Sequence, residues 1–121
     1  MKITLLTVIL FVSCTFAQEK KGTVSFSKDV MPVFTKRCLS CHNTEDEGPS
    51  MLFLDNYKQL MRGDSKHGPT VIPKKGEQSD LIKKLRGTTE YGRQMPRGKK
   101  PLDEETIEMI SRWIDQGAKD N

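Results

Sequence analysis

The sequence predicts an all-α fold, with a helix near each end packed across the other and shorter helices between them. Three observations lead there. Apolar residues recur at helical spacing, most clearly Ile107, Ile110, Trp113 and Ile114 near the end of the chain. The candidate helices open on residues suited to capping, and the later two are followed by Gly87 and Gly117. No strand pair, hairpin signal or internal repeat occurs.

Taken in order, Gln18 to Ser25 is a polar lead-in. A helix then starts at Asp29, which can cap its free amide groups, and Pro32 falls in the first turn, where a missing N–H costs little. Val30, Phe34 and Cys38, with Val33 and Arg37 alongside, follow helical spacing, and Val30 and Phe34 read as core. Asn43 to Ser50 is an acidic loop with glycine and proline, and Leu52 to Leu54 is a short apolar stretch. Tyr57 to Met61 makes one or two helical turns with Asp55 available as a cap. Gly63 to Pro73 is a loop. Ser79 to Leu85 is a short helix capped by Ser79 and stopped by Gly87. Thr88 to Pro101 is a loop rich in glycine, proline and positive charge. Asp103 caps the last helix, Glu104 and Glu105 suit the positive end of its dipole, and Gly117 ends it.

Residues 1–17 stand apart. Lys2 precedes an almost unbroken apolar run from Ile3 to Val12, and Thr15-Phe16-Ala17 offers small residues for cleavage, which is the pattern of a secretory signal peptide. The run is short for a transmembrane helix, and the hydrophilic chain after it holds no second candidate. Residues 18–121 then form one small domain. Val12-Ser13-Cys14 loosely resembles the end of a lipoprotein signal, so a lipid anchor on Cys14 is a second route. The whole chain has 121 residues, 30% of them charged and 7% aromatic, with a formal net charge of +4. That is lean for a self-sufficient core.

Cys38-Leu39-Ser40-Cys41-His42 carries the chemistry. Two thiols two residues apart, followed at once by an imidazole, form the attachment pattern of a c-type haem. On a helical turn each sulfur can reach one vinyl group of the same porphyrin, and His42 lies under the iron as its proximal ligand. A buried porphyrin would also supply the apolar body that the composition lacks. Export fits, because c-type haem is attached on the outer side of the bacterial inner membrane. Beyond Cys14 the chain has only these two cysteines, too few for the usual disulfide framework. Zinc held by Cys38, Cys41, His42 and His67, or a thioredoxin-like dithiol, are the other readings. The first places His42 poorly for a tetrahedral site, and the second lacks its βαβ context.

The other face of the iron needs a ligand. Methionine sulfur gives an electron-transfer site of raised potential, a second His a lower one, and an open face binds ligands. Met31 and Met109 lie on the terminal helices and read as core. Met95, in Gln94-Met95-Pro96-Arg97-Gly98, sits on a loop that can wrap to the far face, stiffened by proline. Met51, Met61 and His67 are the alternatives. Trp113 reads as core, with contact to a haem propionate as the alternative.

With these motifs in place, the chain resembles the planctomycete-type cytochrome c domain. Ser27-Lys28-Asp29-Val30-Met31-Pro32 leading to the Cys-x-x-Cys-His turn resembles its opening. Leu52-Phe53-Leu54-Asp55 and Leu60-Met61-Arg62-Gly63 resemble its next segment, and Gly68 to Pro73 with Ser79 to Ile82 its middle. Met95-Pro96, Pro101-Leu102 and Trp113 to Ala118 resemble its end. Lys74-Lys75-Gly76 departs from the family's middle segment and makes it more basic. The resemblance implies a small cytochrome c-like fold around one covalent haem c and its iron. It implies bonds from Cys38 and Cys41, His42 as proximal ligand and Met95 as distal ligand.

Charge is uneven: residues 58–100 carry twelve Lys and Arg against four Asp and Glu, and residues 101–121 carry two against six. A positive rim at an exposed haem edge would steer an acidic redox partner; a solvated surface balancing the propionates and the acidic tail is the plainer reading. The expectation is a monomeric, periplasmic or lipid-tethered electron carrier rather than an enzyme, with redox proteins and not nucleic acid as partners. A haem-based sensor or gas-binding protein with a displaceable distal ligand is the alternative.

Overall fold

The computed structural model describes residues 22–46, 48, 51–64 and 66–121. The segment read as a leader, Cys14 included, lies outside them. Among the described residues a π-helical turn, Phe26–Val30, runs directly into α1 (Met31–Arg37). Then follow α2 (Tyr57–Arg62), α3 (Asp80–Arg86) and α4 (Glu104–Asp115). The only β-type pairing among these residues is an isolated bridge between Asp64 and Gly68. The fold is all-α, as the periodicity predicts.

The first helix starts earlier than Asp29, and its cap is Ser25. Ser25 Oγ accepts from the Lys28 amide at 3.2 Å, while Asp29 Oδ2 accepts from the Ser25 amide at 2.8 Å. Asp29 thus serves as the reciprocal partner of the cap rather than the cap itself. Pro32 explains the wide first turn. In a regular α-helix its ring would collide with the carbonyl four residues back, and a π-turn opens the backbone ahead of it. The Met31 amide reaches back to Phe26 O instead. The polar lead-in also ends sooner than expected: Val24 is buried, and its amide donates to Gln116 Oε1 at 2.8 Å.

The core forms where the π-turn and α3 both pack on α4. Ile107, Ile110, Trp113 and Ile114 of α4 are at most 3% exposed, and Val30, Phe34, Leu60 and Ile82 close over them. Each such side chain contributes about 1.5–3 kcal/mol on burial. Phe26 lies 5.3 Å from Trp113, ring to ring, and meets Tyr57 edge-on at 5.4 Å. Trp113 Nε1 donates to Lys119 O at 2.9 Å, so the indole is a satisfied core residue, as the sequence favours. The chain then returns to its first turn. Asn121 Oδ1 accepts from the Phe26 amide at 2.8 Å, and Asn121 O accepts from the Ser27 amide at 2.9 Å.

Two further caps differ from expectation. Asn56, not Asp55, caps α2 by accepting from the Gln59 amide at 2.9 Å. Ser79 occupies the cap position of α3 without capping it. Its buried hydroxyl donates to Lys75 O at 2.8 Å and accepts from the Ile72 amide at 2.9 Å, which folds the preceding loop under the helix. Gly87 ends α3 at φ 74°, in the left-handed region that glycine adopts freely. Asp103 caps α4 as expected, accepting from the Thr106 amide at 2.8 Å.

Candidate haem site

The end of α1 delivers the Cys-x-x-Cys-His stretch as one more turn. The Cys38 amide bonds Phe34 O at 2.8 Å, and the His42 amide bonds Cys38 O at 3.0 Å. Cys38 is half-buried on the core, Cys41 is exposed, and both are free thiols. Burial is the main cause that pushes the Cys38 thiol up to about 11, with Lys99 and Arg37 opposing it. A thiol so held stays protonated near neutral pH, unlike the thiolate that a dithiol exchange site presents. Among the described residues no three of His, Cys, Asp and Glu stand close enough to share a metal ion. Cys38, Cys41, His42 and His67 are therefore not gathered as a zinc set.

His42 is half-buried, and its Nδ1 lies 3.1 Å from Leu52 O. A carbonyl oxygen can only accept, so Nδ1 carries the proton and Nε2 keeps its lone pair. The Leu54 amide donates to His42 O at 2.9 Å, which holds the extended stretch 52–54 beside the turn. Asp55 fastens the connecting loop by accepting from the Thr44 amide at 2.9 Å and from its hydroxyl at 2.6 Å. Gly48 backs the turn so closely that a Cβ there would lie 2.3 Å from Cys41 O. Two free sulfurs and an imidazole with its outer nitrogen lone pair available, all on one turn, fit the donor set of a c-type haem.

The later loop reaches this turn through its basic residues. Lys99 Nζ donates to Ser40 Oγ at 3.1 Å, and the Arg37 guanidinium donates to Lys100 O. Between α3 and these contacts lies Met95. It is half-buried and outside the set of apolar side chains packed on the core. Its amide donates to Lys84 O at 2.9 Å, and Gln94 Nε2 donates to Leu85 O at 2.9 Å. Met31, Met61 and Met109 pack on the core, and Met51 is 43% exposed. His67 is not simply solvated: its Nδ1 is 3.5 Å from Asp64 Oδ1, and its ring stacks on Tyr91 with centroids 3.9 Å apart. A depression of about 420 Å³ lies between Gly22–Val24, Trp113, Gln116, Lys119 and Asn121, and no residue of the Cys-x-x-Cys-His turn lines it.

Leu52 O, Gly48, Tyr91 and Lys84 are the participants that sequence reasoning misses. The first acts through its backbone and the second through what it lacks. Tyr91 takes its place from the packing of a distant loop that carries His67, and Lys84 from the segment that follows α3.

Among the described residues there are helices and no strand, and α1 ends in the Cys-x-x-Cys-His turn that marks a c-type haem domain. Residues 38–97 match the model of the family described as Planctomycete cytochrome C, so this stretch carries a domain of that family. The match opens on the first cysteine of the turn and closes two residues past Met95. The resembling stretches Ser27 to Pro32 and Trp113 to Ala118 lie outside it. Neither curated proteins nor solved structures returned a match. The family implies haem c as cofactor and redox proteins as partners. No helix among the described residues is long and apolar enough to cross a membrane.

Proposed function

We propose that the chain is a periplasmic electron-transfer protein with one covalently bound haem c. Cys38 and Cys41 would hold the porphyrin, and His42 Nε2 and Met95 sulfur would be the two iron ligands. The haem supplies one-electron redox chemistry when bound. The protein's part is to fix the ligands, exclude water and present an edge to a partner. Leu52 O fixes the tautomer and angle of His42. The Lys84 carbonyl fixes the backbone of Met95. Arg37 and Lys99 place positive charge at the rim of the turn, which suits an acidic docking surface. The apolar run at residues 3–12 supports export, with a lipid on Cys14 as the tethered form.

The observation that carries this reading is the contact of His42 Nδ1 with Leu52 O, which leaves the second nitrogen of the motif's imidazole free to ligate. A pyridine haemochrome spectrum, with the mass of protein matured in a host competent for c-type haem, tests it. A mature chain weighing no more than its amino acids overturns it. Met95→Ala should abolish the weak sulfur-to-iron band near the red end of the ferric spectrum. Rapid, tight carbon monoxide binding to the reduced, folded protein would instead favour a ligand sensor.

A further inference from the structure

Tyr91 lies on the loop between α3 and Met95, and its ring is gripped from both faces. The His67 imidazole stacks on it at 3.9 Å with an interplanar angle of 16°. The Lys84 ammonium stands 3.9 Å from the same ring centroid. A stacked imidazole covers one face, so the ammonium takes the other. Lys84 also holds both ends of the segment 91–95: its ammonium donates to Tyr91 O, and its carbonyl accepts from the Met95 amide at 2.9 Å. His67 is itself fixed, because Asp64 Oδ1 accepts from the His67 amide at 3.0 Å and lies 3.5 Å from Nδ1. Thr89 Oγ1 lies 3.2 Å from Tyr91 O and 3.5 Å from Asp80 Oδ1, which closes the loop on α3. Desolvation, then the neighbouring Asp80, pushes the Tyr91 phenol above its ordinary range, so the ring stays neutral.

We propose that Tyr91 is a positioning residue for Met95, and that its clamping between His67 and Lys84 sets how readily the methionine sulfur leaves the iron. This rests on the ligation by Met95 proposed above. The segment 91–95 is fastened at each end by one lysine, and its first residue is held further by the clamped ring. Loosening the ring therefore loosens the backbone that carries the sulfur. Stacking and cation–π contact at a partly exposed site are each of the size that changes an equilibrium several-fold.

The test uses the haem-loaded ferric protein, with imidazole as the competing ligand and the sulfur-to-iron band as the readout. Tyr91→Ala should raise imidazole affinity about tenfold, equivalent to about 1.4 kcal/mol, and weaken the band. Tyr91→Phe keeps both ring faces and should stay near the parent, whereas His67→Ala, which removes one face, should fall between. Tyr91→Ala with the parent's affinity and an intact band overturns the proposal. Should Tyr91→Ala fail to retain haem, His67→Ala decides, and affinity unchanged from the parent overturns it. Met95→Ala separates the two layers. If it leaves the band in place, the ligation reading fails and the proposal with it. If it removes the band while Tyr91→Ala is silent, the positioning role alone fails.

Discussion

Lys99 Nζ lies 3.1 Å from Ser40 Oγ, a contact across 59 residues that lays the basic loop after Met95 against the turn bearing both thiols. The contact puts a cation at the rim of the candidate haem site, beside Arg37, and both lower the Cys38 thiol through space. Exposed charge of this kind governs encounter more than affinity. Electron transfer to an acidic redox partner should slow as ionic strength rises, and Lys99→Glu should cut the rate at low salt by about tenfold. Stopped-flow mixing across a salt series measures it, and a rate indifferent to salt refutes it.

Gly48→Ala should impair the site without touching any ligand. The new methyl would stand 2.3 Å from Cys41 O, and a backbone carbonyl cannot swing aside as a side chain can. The turn must shift, at about 1–3 kcal/mol. The fraction of purified chain carrying haem should fall, as should the denaturation midpoint. Parent-like haem content with an unchanged midpoint would show that the turn yields freely.

Ser79→Ala should cost more than the loss of an exposed cap. The hydroxyl is fully buried and serves Lys75 O and the Ile72 amide together; alanine leaves the Ile72 amide without its acceptor, while Lys75 O keeps the Ser79 amide at 3.0 Å. The expected loss is about 1–3 kcal/mol, read from urea unfolding at constant slope. Under about 0.5 kcal/mol, water must be reaching the vacated Ile72 amide.

Acid should unfold the protein through a small set of carboxylates. At Asp55 desolvation raises the carboxyl, but the hydrogen bonds from the Thr44 hydroxyl and amide outweigh it and hold it below the ordinary 3.8. At Glu77 the Arg86 hydrogen bond leads in holding the carboxyl below the ordinary 4.5. Groups depressed in the folded state bind fewer protons there than in the unfolded chain. Their stabilisation is complete above the unfolded values and disappears as pH falls through the folded ones. Melting temperature should therefore be level above about pH 5 and drop below pH 4, and Asp55→Asn should make that drop shallower. An unchanged acid slope in this variant would remove Asp55 from the set.

Much of this architecture is legible in the chain because it is local. Asp103 caps α4 and Gly87 stops α3, since each depends on neighbours within one turn. The stripe from Ile107 to Ile114 is buried because period alone assigns it a face. The Cys-x-x-Cys-His turn is legible for the same reason, with all its members within five residues. Other features are not local. Ser25 displaces Asp29 as cap because Pro32, seven residues on, forces a wide turn. Ser79 abandons its cap role because a loop carbonyl and amide are buried beneath it. Nothing in the sequence pairs His67 with Tyr91, which are 24 positions apart and meet only when two loops fold together.

The wide turn before Pro32 also acts as an angular adjuster. Phe26, Val30 and Phe34 are four residues apart, and in a strictly α-helical segment such a row drifts steadily around the axis. Under-winding by the π-turn at the start offsets that drift and keeps the ring of Phe26 against Trp113, while the far end of the row brings Cys38 onto the core. Deleting one residue from 26–30 would therefore do more than shorten the helix. It would swing the first sulfur out of its bearing on the interior, so the direction in which Cys38 faces is dialled some ten residues upstream.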